Sequence, residues 1–371
     1  MKKLLAVSLF FLAFALSGCA IQLTQPAIAP SPTPLPTESA APQGTQIPVT
    51  WSDLKLTGKL LYISQEDTTD QVFMVIQMLN LATGRVSTLF KAPDHAFIYA
   101  LTLSPDHKQI IMSYALPSDP HSFGVPALYT MPADASQPPT LLFAPPTKDD
   151  QYFQPFWASV GGKDYLYFSH ARSKGPSKAG TQNLTIDLYR MALPDGPQEE
   201  IAGSAFWPTV SPDGSRLVYV AIDATDGTNK LMFASPDGAN AQLVAATGTW
   251  VPHYIDAPAF LPDGKTVLFS AVSLSQTQAS APTWLEQLFG VTVASAHNVP
   301  SDWWSVPVDG GDVTQLTHLQ TTALFASVLP DQKHIASYSG GGLFVMNLDG
   351  TGLRMLDNDI GGIPSSLHWM P

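Results

Sequence analysis

The stretch Ser211-Pro212-Asp213-Gly214, followed by the apolar run Leu217-Val218-Tyr219-Val220, decides the fold of this chain. Ser, Pro and Gly stand where a type I turn favours them, and the run after the turn has the β-branched and aromatic residues of a buried strand. A second short apolar run, residues 206–210, precedes the turn. The stretch therefore predicts a β-hairpin.

The same hairpin recurs along the chain. Its turn reappears at residues 103–108, 260–265 and 328–333, with a degenerate copy at 157–163. A second marker, a strand that ends in a turn of the Asp-Gly type, occurs at residues 78–84, 128–134, 188–196, 232–238, 304–310 and 343–350. Asp-Gly between strands is a hairpin signal, and regular internal repetition predicts a ring or array of similar units.

The two ends of the chain together supply the one missing copy of the first marker. Residues 58–63 look like the strand after an inner turn, and residues 366–371 look like the strand before one. Pairing of these ends would complete a blade and remove free sheet edges. We therefore expect an all-β fold, a six-bladed β-propeller closed by its N- and C-terminal strands.

Residues 208–214 and 258–264 resemble the WD40-like (PD40) repeat of TolB-type propellers, in which a Pro-x-Trp-Ser-Pro-Asp-Gly-like turn precedes an apolar strand. The resemblance covers residues 58–371 and implies a propeller, but propellers host many unrelated functions. The amino-terminal α/β domain of TolB has no counterpart in residues 20–50, which are short and rich in proline.

The N-terminal sequence predicts a secretion signal and a membrane anchor. Residues 1–18 have the charged start and short apolar core of a signal peptide, and Leu16-Ser17-Gly18-Cys19 resembles the bacterial lipobox. The resemblance implies cleavage before Cys19 and a covalent lipid on it, whereas an ordinary signal peptide with a chance cysteine is the alternative. We expect a lipidated cysteine and Pro-rich tether over residues 19–50 and the propeller over residues 51–371.

The resemblance also implies a location. Ala20 is not the aspartate associated with inner-membrane retention, which favours the outer membrane or, in a cell with one membrane, its outer face. The net charge of −12 argues against a nucleic-acid partner. The single cysteine excludes a disulfide within the chain.

One predicted blade carries an insertion, residues 273–302. Within it, residues 282–290 begin with Pro and end with Gly, as a short helix does. Trp284, Leu288 and Phe289 would share an apolar face of that helix. The segment is either a lid or partner-binding element, or a loop whose apolar face packs on its own blade.

Aromatic residues precede the inner strands and, if the blades are equivalent, would cluster at one end of the channel: Tyr99, Phe153, Phe206, Trp207, Tyr254 and Phe325. Aromatic rings at such a position suit recognition of a protein or peptide. Packing between neighbouring blades is the alternative explanation.

The sequence contains no Gly-x-Ser-x-Gly elbow, phosphate-binding loop or His-Glu-x-x-His motif. His253 and Asp256, with His297 from the insertion, are weak candidates for a metal site. We therefore expect no cofactor beyond the lipid, and a non-catalytic envelope protein that binds a protein or peptide. The alternatives are a metal-dependent propeller enzyme of the lactonase or sugar dehydrogenase type, and binding of cell-wall carbohydrate.

Overall fold

The computed structural model describes residues 44–68, 71–119, 122–176, 182–223, 228–244, 246–247, 254–272, 300–358 and 365–371. All of them belong to one compact unit, Ala40–Pro371. Strands dominate this unit, and a short 3-10 turn lies at Ser52–Leu54. Within these ranges, no helix has the length and apolar character needed to cross a membrane.

The strands follow one another as the repeats predict. The first are β1 (Gly44–Gln46), β2 (Lys59–Asp67), β3 (Val72–Asn80), β4 (Arg85–Lys91), β5 (Phe97–Leu103), β6 (Gln109–Ala115), β7 (Pro117–Asp119), β8 (Ser122–Phe123), β9 (Ala127–Pro132) and β10 (Thr140–Phe143). The next are β11 (Asp150–Val160), β12 (Lys163–Pro176), β13 (Gln182–Ala192), β14 (Gln198–Ala202), β15 (Ala205–Val210), β16 (Leu217–Ile222), β17 (Asn229–Ala234), β18 (Gln242–Leu243) and β19 (Ala246–Thr247). The last are β20 (Ile255–Phe260), β21 (Thr266–Val272), β22 (Ser301–Pro307), β23 (Gly311–Asp312), β24 (Thr314–Gln315), β25 (Phe325–Val328), β26 (His334–Ser339), β27 (Gly342–Asn347), β28 (Arg354–Asp357) and β29 (Leu367–Met370).

Six antiparallel sheets form the blades of a propeller. Blade 1 has the order β29-β2-β3-β4-β1 from the inside outward, and blade 2 has the order β5-β6-β9-β10. Blades 3 to 6 have the orders β11-β12-β13-β14, β15-β16-β17-β18, β20-β21-β22-β24 and β25-β26-β27-β28. Two further small sheets, β7-β8 and β19-β23, lie outside this pattern.

The predicted closure is confirmed. The C-terminal strand β29 is the inner strand of blade 1, and it pairs with β2 from Lys59↔Met370 to Tyr62↔Leu367. Gly58 immediately before β2 has φ +80, and a Cβ there would lie 2.5 Å from the Met370 carbonyl oxygen. Only glycine fits this position, because the backbones approach too closely for a side chain.

The folded part begins earlier than the sequence predicts. Residues 44–50, assigned above to the tether, lie on blade 1, where β1 adds a fifth strand outside β4. Trp51 is fully buried, and its indole nitrogen donates to the Leu81 carbonyl oxygen at 2.7 Å. Asp53 reaches blade 6 through Arg354 at 2.5 Å. We call residues 44–56 the N-terminal clasp.

The repeated aspartate of the turns has a structural role. Asp213 Oδ1 accepts a hydrogen bond from the Ser215 backbone nitrogen at 3.0 Å and another from the Ser211 hydroxyl at 2.6 Å. The backbone nitrogens two residues beyond Asp106, Asp263 and Asp331 donate to those carboxylates in the same way, at 3.1, 2.8 and 2.9 Å. The carboxylate thus holds each turn, as Asx turns do.

Side chains also join neighbouring inner strands around the channel. Each accepts a hydrogen bond from the backbone nitrogen of the next strand: Ser366 from Leu101 at 2.9 Å, Thr102 from Trp157 at 3.2 Å, Gln154 from Trp207 at 3.2 Å and Ser327 from Trp369 at 2.8 Å. Inner strands end the sheets, so their inward N–H groups need such partners.

Candidate functional site

The two faces of the propeller differ in what they carry. One face bears the Ser-Pro-Asp-Gly turns, and we call it the turn face. On the opposite face, here called the loop face, each inner strand begins and each second strand ends. In blade 5 the pairs Ile255↔Ala271 and Val272↔Ser301 place the start of β20, the end of β21 and the start of β22 on this face. The insertion therefore leaves and rejoins the propeller at the loop face.

The insertion itself lies almost wholly outside the described residues, and so do Trp284, Leu288, Phe289 and His297. Its predicted end at residue 302 needs correction, because Ser301 and Asp302 belong to β22. Both are fully buried, and Asp302 accepts a hydrogen bond from the Thr317 hydroxyl at 3.1 Å. This bond ties β22 to the connection that leads into blade 6.

The aromatic residues named from the sequence differ in their position on the strands and in their burial. Tyr99, Phe153, Phe206, Trp207 and Phe325 lie within the inner strands rather than before them, and Tyr254 immediately precedes β20. Phe206 is 3% exposed and packs in the core with residues of blades 4 and 5, so the packing alternative describes it. Trp207 is only partly buried.

Trp207 extends beyond its own blade. Its ring lies 5.7 Å from the ring of Phe325, measured between centroids. Trp207 belongs to blade 4 and Phe325 to blade 6, so the indole passes the inner edge of blade 5. Ala257, on that edge, is buried in the apolar cluster that contains Phe325 and against which Trp207 packs. Side chains of three blades thus meet around one indole.

A second aromatic pair joins blades 2 and 3. The rings of Tyr99 and Phe153 meet edge to face at 5.1 Å, and Phe97 lies 4.6 Å from Tyr99. All three rings are partly buried. Burial raises the pKa of Tyr99 to about 12, so its hydroxyl is neutral at physiological pH.

A histidine of the closing strand adds a further neutral group. His368 Nε2 donates to the Leu101 carbonyl oxygen of blade 2 at 2.8 Å. Burial lowers the pKa of His368 from 6.5 to about 4, and the nearby His107 adds to this effect while the hydrogen bond opposes it. The side chains of Tyr99 and His368 are therefore both uncharged at neutral pH.

Sequence reasoning missed a shared distortion of three neighbouring inner strands. In each, the register with the second strand slips across a residue followed by proline: Gln154-Pro155, Trp207-Pro208 and Ala257-Pro258. The first residue of each pair has a positive φ, of 50, 52 and 45 degrees respectively. A non-glycine residue at positive φ is uncommon, and strained backbone of this kind concentrates at functional sites. The recurring proline was the visible signal.

A buried polar cluster in blade 3 was also missed. His170 Nε2 donates to Asp150 Oδ1 at 2.8 Å, and the Thr147 hydroxyl donates to Asp150 Oδ2 at 2.6 Å. Burial lowers the pKa of His170 despite this contact. Burial alone would raise the pKa of Asp150, but the hydrogen bonds from Thr147 and His170 hold it below its ordinary value. Asp150, which is held by His170, thus binds the connection that leads into β11 through Thr147.

Of the residues considered for metal binding, the structure describes only Asp256. Asp256 is fully buried in β20, whereas His253 lies outside the described residues. Across the described ranges, no group of three or more His, Cys, Asp and Glu side chains could hold a metal ion. Cys19 lies outside these ranges too.

Comparison with known proteins shows similarity in fold. No protein-family model matches this sequence, and neither does any curated protein. TolB from Acinetobacter baumannii superposes with a TM-score of 0.57 at 15% identity, over 85% of this chain and 67% of that one. A structure from Agrobacterium tumefaciens, assigned provisionally as TolB, gives 0.51 at 15% identity, over 85% and 99% of the two chains.

A third structure extends the comparison. Hydrazine synthase from Kuenenia stuttgartiensis superposes with a TM-score of 0.55 at 13% identity, over 84% of this chain and 46% of that one. Identities this low show the fold alone, which is the TolB-like propeller that the repeats predict.

Proposed function

We propose that this propeller, whose fold is that of TolB, is a non-catalytic binding protein of the cell envelope. Its partner is a protein or peptide that docks on the loop face and places an uncharged apolar side chain against Trp207. The partly buried aromatic rings and the positive-φ residues lie in the first half of the inner strands, which begin at the face where the insertion leaves the propeller. The enzyme alternatives need a channel lined by carboxylates and histidines, as metal-assisted hydrolysis requires.

One observation carries the proposal: Trp207 lies on the inner strand of blade 4, partly buried, with its ring against Phe325 two blades away. Tryptophan in a well-packed but accessible setting is the side chain most enriched among residues that dominate binding energy. A preformed aromatic surface also reduces the entropy lost when a partner binds.

We expect Trp207→Ala to weaken binding of a loop-face peptide by roughly 30-fold or more, because a central aromatic contact contributes about 2 kcal/mol. Residues 44–371 would be used to select binders from a random-peptide phage library, and Kd would be measured by calorimetry. Selected peptides should be enriched in aromatic and prolyl residues.

Trp157→Ala is the matched control. Trp157 is also a partly buried tryptophan on an inner strand, but it lies toward the turn face, where β11 approaches Val160↔Lys163. This variant should keep the wild-type Kd. Failure to select any peptide, or equal binding by the Trp207→Ala protein, would refute the proposal.

We also propose that a lipid on Cys19 holds the propeller at a membrane surface. Support comes from Leu16-Ser17-Gly18-Cys19 after an apolar segment, with Cys19 the only cysteine of the chain. We expect full-length protein in a bacterial host to incorporate labelled palmitate and to sediment with membranes, because acyl chains hold a protein at the bilayer. Cys19→Ser should abolish both. If the wild-type protein incorporated no labelled palmitate, the lipid anchor would be contradicted.

A further inference from the structure

The backbone at Trp207 is held in a conformation that its sequence context opposes. Its φ of 52 degrees lies in the left-handed region, and Pro208 follows directly. A residue before proline favours extended backbone, because the proline ring collides with it in helical conformations. Such strain persists only where the surroundings enforce it.

Gln154 supplies that enforcement from the neighbouring blade. Its Oε1 accepts a hydrogen bond from the Trp207 backbone nitrogen at 3.2 Å. The same oxygen accepts a second hydrogen bond from the Ser169 hydroxyl, at 2.6 Å. Ser169 is fully buried on β12, so the acceptor is fixed in place by the core of blade 3. The strained peptide group is thus attached to a rigid neighbour.

Contacts with three other blades then determine where the indole lies. Gln154 of blade 3 accepts a hydrogen bond from the Trp207 backbone, Ala257 of blade 5 is buried in the cluster against which the indole packs, and the ring of Phe325 contacts the indole from blade 6. Gln154 itself stands at the equivalent distortion of blade 3, with a φ of 50 degrees. Its side-chain oxygen binds the Trp207 backbone nitrogen.

We propose that Gln154 is a positioning residue that keeps Trp207 in its binding conformation before a partner arrives. This inference rests on the function proposed above. The chemical requirement is an oxygen acceptor at the end of a side chain of this length. A carboxylate can accept from both the Ser169 hydroxyl and the Trp207 nitrogen, whereas a hydrocarbon removes the acceptor of both hydrogen bonds.

The test compares Gln154→Leu with Gln154→Glu in residues 44–371. With the phage-selected peptide as probe, Gln154→Leu should weaken binding at least roughly 10-fold, because only a fraction of the free protein would hold Trp207 in place. Gln154→Glu should restore binding to within roughly twofold of wild type, because it keeps the acceptor.

Thr102→Val is the matched control. Thr102 makes the same kind of bond, to the Trp157 nitrogen at 3.2 Å, toward the turn face. Its removal should leave the Kd unchanged, although a link between blades is lost. Equal weakening by Thr102→Val and Gln154→Leu would assign the effect to general loosening of the ring and overturn the inference.

A measurement without any ligand separates this inference from the proposed function. In protein labelled with 5-fluorotryptophan, the fluorine signal of Trp207, assigned by its absence in Trp207→Phe, should shift or broaden in Gln154→Leu and return in Gln154→Glu. An unchanged signal in Gln154→Leu would overturn the positioning role. If Trp207→Ala bound the peptide normally while this signal moved, only the proposed function would fail.

Discussion

A chain that ends at Ser366 is expected to lose its cooperative unfolding transition. Such a chain lacks β29, whose side chains pack on both flanking seams of the ring. Leu367 is 3% exposed in the cluster shared with blade 6, and Met370 is 9% exposed in the cluster shared with blade 2. Burial of each large apolar side chain contributes about 1.5 to 3 kcal/mol, against a total stability of about 5 to 15 kcal/mol.

Hydrogen bonds lost with the closing strand add to this cost. Trp369 donates its backbone nitrogen to Ser327 at 2.8 Å and its indole nitrogen to the Thr57 carbonyl oxygen at 2.9 Å. The inner edge of β2 would also be exposed as an unpaired strand, which favours aggregation. Circular dichroism during thermal unfolding, together with size-exclusion chromatography, would measure the loss.

The control removes the other terminal strand of the same blade. A chain that starts at Ile47 lacks β1, whose residues are all exposed. Its hydrogen bonds to β4 are solvent-accessible, so the cost should be about 1 kcal/mol or less. If both truncated chains unfolded alike, or if the chain ending at Ser366 kept the wild-type midpoint, the closing strand would not have the role assigned to it.

Acid should destabilise the protein through His368. Because its pKa is about 4 in the folded state and 6.5 ordinarily, the neutral form is favoured by folding. The corresponding stability is fully present above pH 6.5 and is lost as pH falls toward 4, by about 3 kcal/mol for a shift of this size. Urea unfolding measured at intervals between pH 7.5 and 4 would reveal this slope.

His368→Gln tests the assignment of the slope to this side chain. Glutamine can still donate to the Leu101 carbonyl oxygen but carries no charge, so the variant should flatten the profile between pH 6.5 and 4. A smaller dependence should remain, because burial also lowers the pKa of His170. An unchanged slope in the variant would contradict the role of His368.

The architecture could be predicted from the sequence because local turn chemistry repeats. Each Ser-Pro-Asp-Gly-like turn encodes one hairpin, and the two incomplete ends encode the closure, as the pairing of β2 with β29 confirms. The strand β1 escaped notice because Gly44-Thr45-Gln46 carries no apolar pattern. It pairs only because the edge of β4 is open, which is a property of the assembled blade.

The candidate site could be predicted less fully from the sequence. Phe206 and Trp207 are adjacent aromatic residues, and composition does not say which one is buried. The distortion at Trp207-Pro208 decides it, since Phe206 enters the core while the indole crosses to blade 6. The contact with Phe325 depends on the distance between inner strands that are not neighbours. His170 and Asp150 meet only through the register of β11 and β12.

The N-terminal clasp sets the path of mechanical load. Tension on the chain ahead of Gly44 enters at the outer rim of blade 1, where β1 is held by its pairing with β4. Behind it, the bond between Asp53 and Arg354 passes the load to blade 6, and the buried Trp51 resists extraction. The closing strand lies at the opposite, inner rim of the same blade. A pull on the residues before Gly44 would therefore be borne by the rim, and the seam that keeps the ring closed would be spared.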